Sequence, residues 1–284
     1  MIKASHLHPA VLSAYRLLLS ALLLAPFYFR NLKKYRNESM ARHLRVVLPP
    51  ALGLALHFIT WTQGAQWTHA ANATLIVCMV PVVMPFLLYF MVGEVISRAE
   101  LLGTLVALGG AAWLSAADFS VSRQSWWGDV TCFVSMLLFS YYLAQGRVNR
   151  GFPSIWLYLV PLYAVAGLIC LVIALFMADP FRPQPPREYL LVLGQALVPT
   201  ILGHSIYNYA MKHVRGQVVS IVNLFQFLFA GALAYYFFGE VPRSAFYVAG
   251  ALVVAGAIVA IRAIATTRVG KRELDEMATT TPEA

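Results

Sequence analysis

Nine stretches of this 284-residue chain, each about 17 residues or longer, carry almost no fixed charge. They run roughly from 9 to 29, 46 to 63, 70 to 92, 101 to 117, 130 to 146, 153 to 177, 189 to 211, 216 to 238 and 244 to 261, and are labelled here a to i. A hydrocarbon core near 30 Å thick is crossed by about 20 apolar helical residues, so each stretch has the length of a membrane span. All 12 carboxylates and 20 of the 21 Lys and Arg side chains lie outside them. That distribution follows from the cost of an unpaired charge at the bilayer centre, several kcal/mol. Arg16 is the exception.

The alternative spanning structure, a barrel, would show ten-residue segments of alternating apolar and polar side chains, and none is present. Segment a is not a cleaved leader, because some 20 apolar residues end in Arg30, Lys33, Lys34 and Arg36, a stop-transfer pattern. The connections are too short for a soluble domain. The expected fold is therefore an all-α integral membrane protein. Composition agrees: 60% of residues are hydrophobic and 12% charged, where soluble domains carry about a quarter charged. A net charge of +9 would suggest nucleic acid in a soluble protein, but a mean hydropathy of +0.69 assigns it to membrane topology. The bilayer, not nucleic acid, is the expected partner.

Basic residues set the orientation. The loop after segment a holds Arg30, Lys33, Lys34, Arg36, Arg42 and Arg45, which makes it cytoplasmic by the positive-inside rule. Alternation then places 15 basic residues on the cytoplasmic side and five opposite (Lys3, Arg123, Arg182, Arg187, Arg243). The expected location is the cytoplasmic (inner) membrane of a bacterium, with the C-terminus in the cytoplasm and residues 265–284 a disordered tail. Cys78, Cys132 and Cys170 lie in apolar segments, where free Cys behaves as a small hydrophobe.

The chain also repeats itself. Tyr89-Phe-Met-Val-Gly-Glu-Val95 aligns with Tyr235-Tyr-Phe-Phe-Gly-Glu-Val241, and Gly103-Thr-Leu-Val-Ala-Leu-Gly109 with Gly250-Ala-Leu-Val-Val-Ala-Gly256. His57 aligns with His204, and Pro9 with Pro153. Segments a, b, c and d thus correspond to f, g, h and i. Partners are five spans apart, an odd number, so they cross the membrane in opposite directions. This is the inverted-topology repeat of many secondary transporters. The repeats occupy 1–117 and 118–264. Segment e has no partner, and the pattern is that of two five-helix halves lacking the first helix of ten, nine being present, as from a start placed too late or a truncated chain.

The run Ala71-Asn-Ala-Thr-Leu-Ile-Val-Cys-Met-Val-Pro81 leading to Gly93-Glu94, and its echo from Gly216 to Gly239-Glu240, resemble the EamA-type half of the drug/metabolite transporter superfamily. The resemblance implies ten helices, cytoplasmic termini, a central cavity between the halves, and export or exchange of small metabolites such as amino acids. Two departures stand out: the first helix is absent, and Pro81 is matched in the second half by Phe227, with Gln226 beside it.

Candidate residues for transport are polar groups at membrane depth, which are costly unless partnered. His57 and Trp61 in segment b share a helical face, as do His204 and Asn208 in segment g, with Tyr207 adjacent. Asn223 and Gln226 lie one turn apart in segment h, and amides suit a polar or zwitterionic substrate. Each pair has two readings: cavity lining, or hydrogen bonding between helices. Pro81 and Pro85 free carbonyls near positions 77 and 81, giving a gating or a permanently kinked helix. Arg16 pairs with a substrate carboxylate or a missing helix, or snorkels to an interface. Glu94 and Glu240 are assigned structural roles, and Gly103, Gly109, Gly250 and Gly256 close helix packing. Trp156, Tyr158 and Tyr163 are further candidates for the cavity.

No glycine-rich phosphate loop, His-Glu-x-x-His spacing or Gly-x-Ser-x-Gly elbow occurs. No enzyme, metal or cofactor is therefore expected. The sequence points to a secondary transporter, an exporter of a small polar metabolite such as an amino acid, working by alternating access. Rivals are a nucleotide-sugar or phosphometabolite exchanger, which would want more basic residues in the cavity, and a non-transporting polytopic scaffold or sensor. The oligomeric state is open.

Overall fold

Capping residues and prolines, rather than propensity, set where the helices begin and break. The computed structural model describes residues 2–68, 70–118, 123–226, 228–229, 235–236 and 244–266, and every regular element among them is helical. Helix α1 (Pro9–Lys34) starts on Pro9, with His8 Nδ1 accepting the Ala10 N–H at 3.3 Å. Helices α2 (Met40–Trp67) and α7 (Ile155–Met177) are capped by Ser39 and Ser154, whose hydroxyls accept the N–H groups of Arg42 and Trp156. Between them in the chain lie α3 (Ala70–Cys78), α4 (Val80–Val92), α5 (Arg98–Asp118) and α6 (Arg123–Val148). Segment g is composite: α8 (Pro186–Gln195), a π-helical stretch Ala196–His204, and α9 (Ser205–His213). Helices α10 (Gly216–Asn223) and α11 (Ser244–Thr266) complete the described chain. Five helical spans, Pro9–Lys34, Met40–Trp67, Trp126–Val148, Ile155–Met177 and Pro186–His213, are long and apolar enough to cross a membrane. Phe227, Gly239, Glu240 and the tail from 267 lie outside the described residues.

Segment c is not one helix but two. Pro81 cannot donate to Val77 O, and the chain turns at Met79 before α4 begins. The carbonyl of Pro81, which Pro85 leaves unbonded within the helix, accepts Gln217 Nε2 at 3.2 Å. Helix α4 ends at Gly93, whose φ of 68° is a left-handed cap, with the Glu94 N–H returning to Leu88 O. Helix α5 then opens with a reciprocal cap: the Ser97 N–H donates to Glu100 Oε2 at 2.7 Å, and the Glu100 N–H to Ser97 Oγ at 3.1 Å.

The helices group into two compact units that do not follow the order of the chain. One holds α1, α2, most of α3 and α6 to α9, where α1 packs on α7, and α2 on α6 and α7. The other holds α4, α5, α10 and α11. Repeat-related segments fall largely in the same unit: a with f and b with g in the first, and α4 of segment c with h, and d with i, in the second, while most of α3, the start of segment c, stays in the first.

In the second unit α5 and α11 meet backbone to backbone. A Cβ on Gly103 would lie 2.5 Å from Gly256 O, and one on Gly256 2.4 Å from Gly103 O, with Ala260 and Ala107 one turn further along each helix. This is a small-xxx-small contact. Gly250 lies against the Leu228 side chain. Gly109 departs from its expected packing role: it is exposed, and nothing among the described residues lies within 4 Å of a Cβ placed there. The reason is periodicity. Positions 103, 107 and 110 share a face at i, i+4 and i+7, so it is Gly110 that meets Ala249 and Leu252. This unit also holds a largely buried ionic cluster: Arg215 Nε lies 2.9 Å from Glu100 Oε1 and 3.3 Å from Glu94 Oε1, and Arg215 Nη2 donates to Val95 O.

Candidate functional site

A buried polar cluster forms in the first unit around Arg16. The guanidinium is 2% exposed, so the residue does not snorkel as one sequence reading had it. Its α1 position points inward against α7 and the π-helical stretch, and the stem cannot reach water. Nε donates to Thr200 Oγ1 at 3.1 Å, Nη1 reaches Gln195 Oε1 at 3.5 Å, and one face lies 3.9 Å from the Phe58 ring centroid. Among the described residues no carboxylate is within ion-pair distance. The second terminal nitrogen, Nη2, has no hydrogen-bond partner among them either.

The π-helical stretch positions these partners. Pro199 has no N–H for Gln195 O and its ring crowds that carbonyl, so the α-helical register fails. The Thr200 N–H bonds Gln195 O in the π register, and Thr200 Oγ1 donates to the same carbonyl at 2.9 Å. One hydroxyl thus reinforces the π turn and accepts from Arg16. The Gln195 amide turns into the protein, where Nε2 is buried without a partner among the described residues. Such π turns inside helices frequently mark functional sites.

His57 and His204, from repeat-related segments, come together with ring centroids 6.2 Å apart. His57 stacks on Phe139 at 4.7 Å, and its Nδ1 meets Ser135 Oγ at 2.8 Å and Ser135 O at 3.0 Å. His204 packs edge-on to Phe58 and Phe139, and its buried Nδ1 has no partner among the described residues. Asn208, one turn on, donates through Nδ2 to Tyr142 OH and to His204 O, while its buried Oδ1 is unpaired. Tyr207 sits edge-on to Phe139. Tyr163 OH contacts Ser205 Oγ at 3.2 Å and Thr200 O at 3.4 Å. Arg16, His57 and Thr200 all lie within about a turn of the midpoints of their apolar segments in the sequence.

Other sequence candidates stand elsewhere. Trp61 packs on Ala65, Ala73 and Cys132. Asn223 and Gln226 belong to the second unit, where Gln226 Nε2 donates to Asn223 Oδ1; Asn223 Nδ2 is buried and unpaired. Pro81 and Pro85 are also in that unit. Trp156 stacks on Phe27, and Tyr158 packs on Phe152. Sequence reasoning missed Phe58, Ser135, Tyr142, Gln195 and Thr200. Gln195 and Thr200 carry the signal that singled out Asn208, polarity within an apolar segment.

With one cation, several hydroxyls and amides, and donors and acceptors left unpaired among the described residues, the cluster is equipped to bind a polar ligand. Among the described residues no group of three His, Cys, Asp or Glu side chains could hold a metal. Residues 1–116 and 126–262 match the EamA-like transporter family. The chain is similar to an uncharacterized transporter of Archaeoglobus fulgidus, 27% identical over 213 residues, which cover 72% of this chain and 73% of that one. A crystal structure of a protein without a stated activity superposes with a TM-score of 0.73 at 18% identity, covering 91% of this chain and 88% of that chain. That likeness extends to the fold alone.

Proposed function

The chain belongs to the EamA-like transporter family, and we propose that this membrane transporter exports a small polar metabolite bearing one carboxylate, such as an amino acid, by alternating access. The observation that carries the reading is Arg16: a buried guanidinium within an apolar span, whose Nη2 edge has no hydrogen-bond partner and no carboxylate beside it among the described residues. A charge in that position is expensive to leave unpaired, and a substrate carboxylate is the missing counterion. Guanidinium forks bind such a group in two-point fashion. The unpaired Gln195 Nε2, His204 Nδ1 and Asn208 Oδ1 offer further donor and acceptor positions to the rest of the substrate.

Charge arithmetic disfavours phosphorylated cargo. A phosphomonoester brings close to two negative charges at neutral pH, and one guanidinium leaves the second uncompensated. The basic side chains of the α1–α2 loop support placement in a bacterial cytoplasmic membrane with that loop inside. Two measurements test the function: metabolites in the medium of cells with and without the gene, then counterflow of the metabolites that differ in proteoliposomes. Accumulation of a carboxylate-bearing compound supports the reading. No flux of any such compound identifies a scaffold instead.

A further inference from the structure

The α1–α2 hairpin carries a feature that substrate binding does not use. Six cations, Arg30, Lys33, Lys34, Arg36, Arg42 and Arg45, are exposed on it, against one carboxylate, Glu38. That carboxylate is turned inward. Its Oε2 meets Nε2 of His43 at 2.9 Å, and His43, fully buried, reaches Tyr28 OH of α1 through Nδ1 at 3.1 Å. Arg42 Nη1 closes on Glu38 Oε1 at 3.2 Å, and Ser39 caps α2. Phe152 lies against the His43 ring at 5.4 Å. The turn is therefore tied down from within, with its negative charge spent inside and its positive charge displayed outside.

The same helix start presents apolar surface beside the cations. Met40, Leu44 and Leu48 recur at i, i+4 and i+8 and are all exposed, and Arg45 sits next to Leu44 on the following position. A stripe of this kind belongs in acyl chain, with the arginine stem lying along it and the guanidinium at headgroup level.

From these observations we infer that the α1–α2 hairpin is a binding surface for anionic phospholipid headgroups in the leaflet it faces. A general excess of positive charge would need no structured turn. Here a buried Tyr28–His43–Glu38 chain fixes the turn and removes the one group that would repel a phosphate. Cations near a membrane surface each contribute a roughly fivefold gain in association with anionic lipid, screened by salt.

The test compares phosphatidylglycerol with phosphatidylcholine at equal concentration, counting lipids retained on the detergent-solubilised protein by native mass spectrometry. The wild type is expected to retain phosphatidylglycerol preferentially, and to lose that preference at about 0.5 M salt, where the screening length falls below 5 Å. Replacing Lys33, Lys34, Arg36 and Arg45 together by Gln should abolish it, while Arg182→Gln with Arg187→Gln, on another loop, should leave it intact. Should the fourfold variant not fold, Lys33→Gln with Lys34→Gln is expected to lower the preference at least tenfold. Equal retention of both lipids by the wild type, persistence in the hairpin variants, or equal loss in the Arg182/Arg187 variant would overturn the inference.

Discussion

Replacing Thr200 with Val changes shape little but deletes the hydroxyl that two groups share. Thr200 Oγ1 accepts from Arg16 Nε at 3.1 Å and donates to Gln195 O at 2.9 Å. Pro199 cannot donate to Gln195 O, and in the π register the Thr200 N–H takes that place, so the hydroxyl is the second of two donors to this carbonyl. A hydrogen bond to a charged group contributes about 1.5–3 kcal/mol and a neutral one about 1 kcal/mol, giving an expected destabilisation of about 2.5–4 kcal/mol. Thr200→Ser is the comparison, because it keeps the hydroxyl and gives up one methyl, about 1 kcal/mol. Reversible unfolding of the purified protein in mixed micelles, followed by circular dichroism, reads both. The Ser variant should be clearly the more stable of the two. If the Val variant matched or exceeded it, the hydroxyl would not be holding the π-helical stretch and the guanidinium together, and the description of the site would fail.

Three further outcomes are expected. Gly103→Ala or Gly256→Ala should cost about 1–3 kcal/mol by forcing α5 and α11 apart, while Gly109→Ala should be neutral or stabilising by up to about 1 kcal/mol; the same unfolding measurement checks all three. Glu100→Gln keeps the helix cap but removes the charge facing Arg215. It should destabilise by about 1–3 kcal/mol, less than the 3–5 kcal/mol for breaking a buried pair, because Glu94 remains beside the arginine. Reporter fusions after Arg36 and after Gly270 should both report cytoplasm, and a signal from the far side at either position would overturn the orientation.

The spans were legible because the bilayer penalises charge at every position, so the gaps between carboxylates mark helices without any knowledge of packing. The break in segment c was legible from Pro81 and Pro85 for a local reason, a missing N–H. The π-helical stretch was not, although Pro199 lies in it: the missing N–H is local, but whether the helix answers it with a break, a kink or a shift to i→i−5 bonds depends on the packing around it. Arg16 stood out in the sequence as a charge out of place. Its partners did not, since Gln195 and Thr200 are 179 and 184 residues away and no period links them. Gly109 shows the opposite failure. Repeat alignment marks a position as equivalent, but the face of the helix decides what a glycine touches, and that falls to Gly110. Trp61 likewise shares a face with His57 on α2, yet Ala65, Ala73 and Cys132 claim it.

The central claim is that Arg16 supplies the positive charge for a carboxylate substrate, and the most direct measurement is counterflow in proteoliposomes with Arg16→Gln and Arg16→Lys. Gln retains a donor to Thr200 but no charge, and should lose transport of the carboxylate-bearing metabolite while the protein remains folded. Lys retains the charge without the fork, and is expected to keep transport with half-saturation raised about tenfold or more, as for one lost charge-assisted hydrogen bond. Undiminished counterflow by the Gln variant would contradict the account.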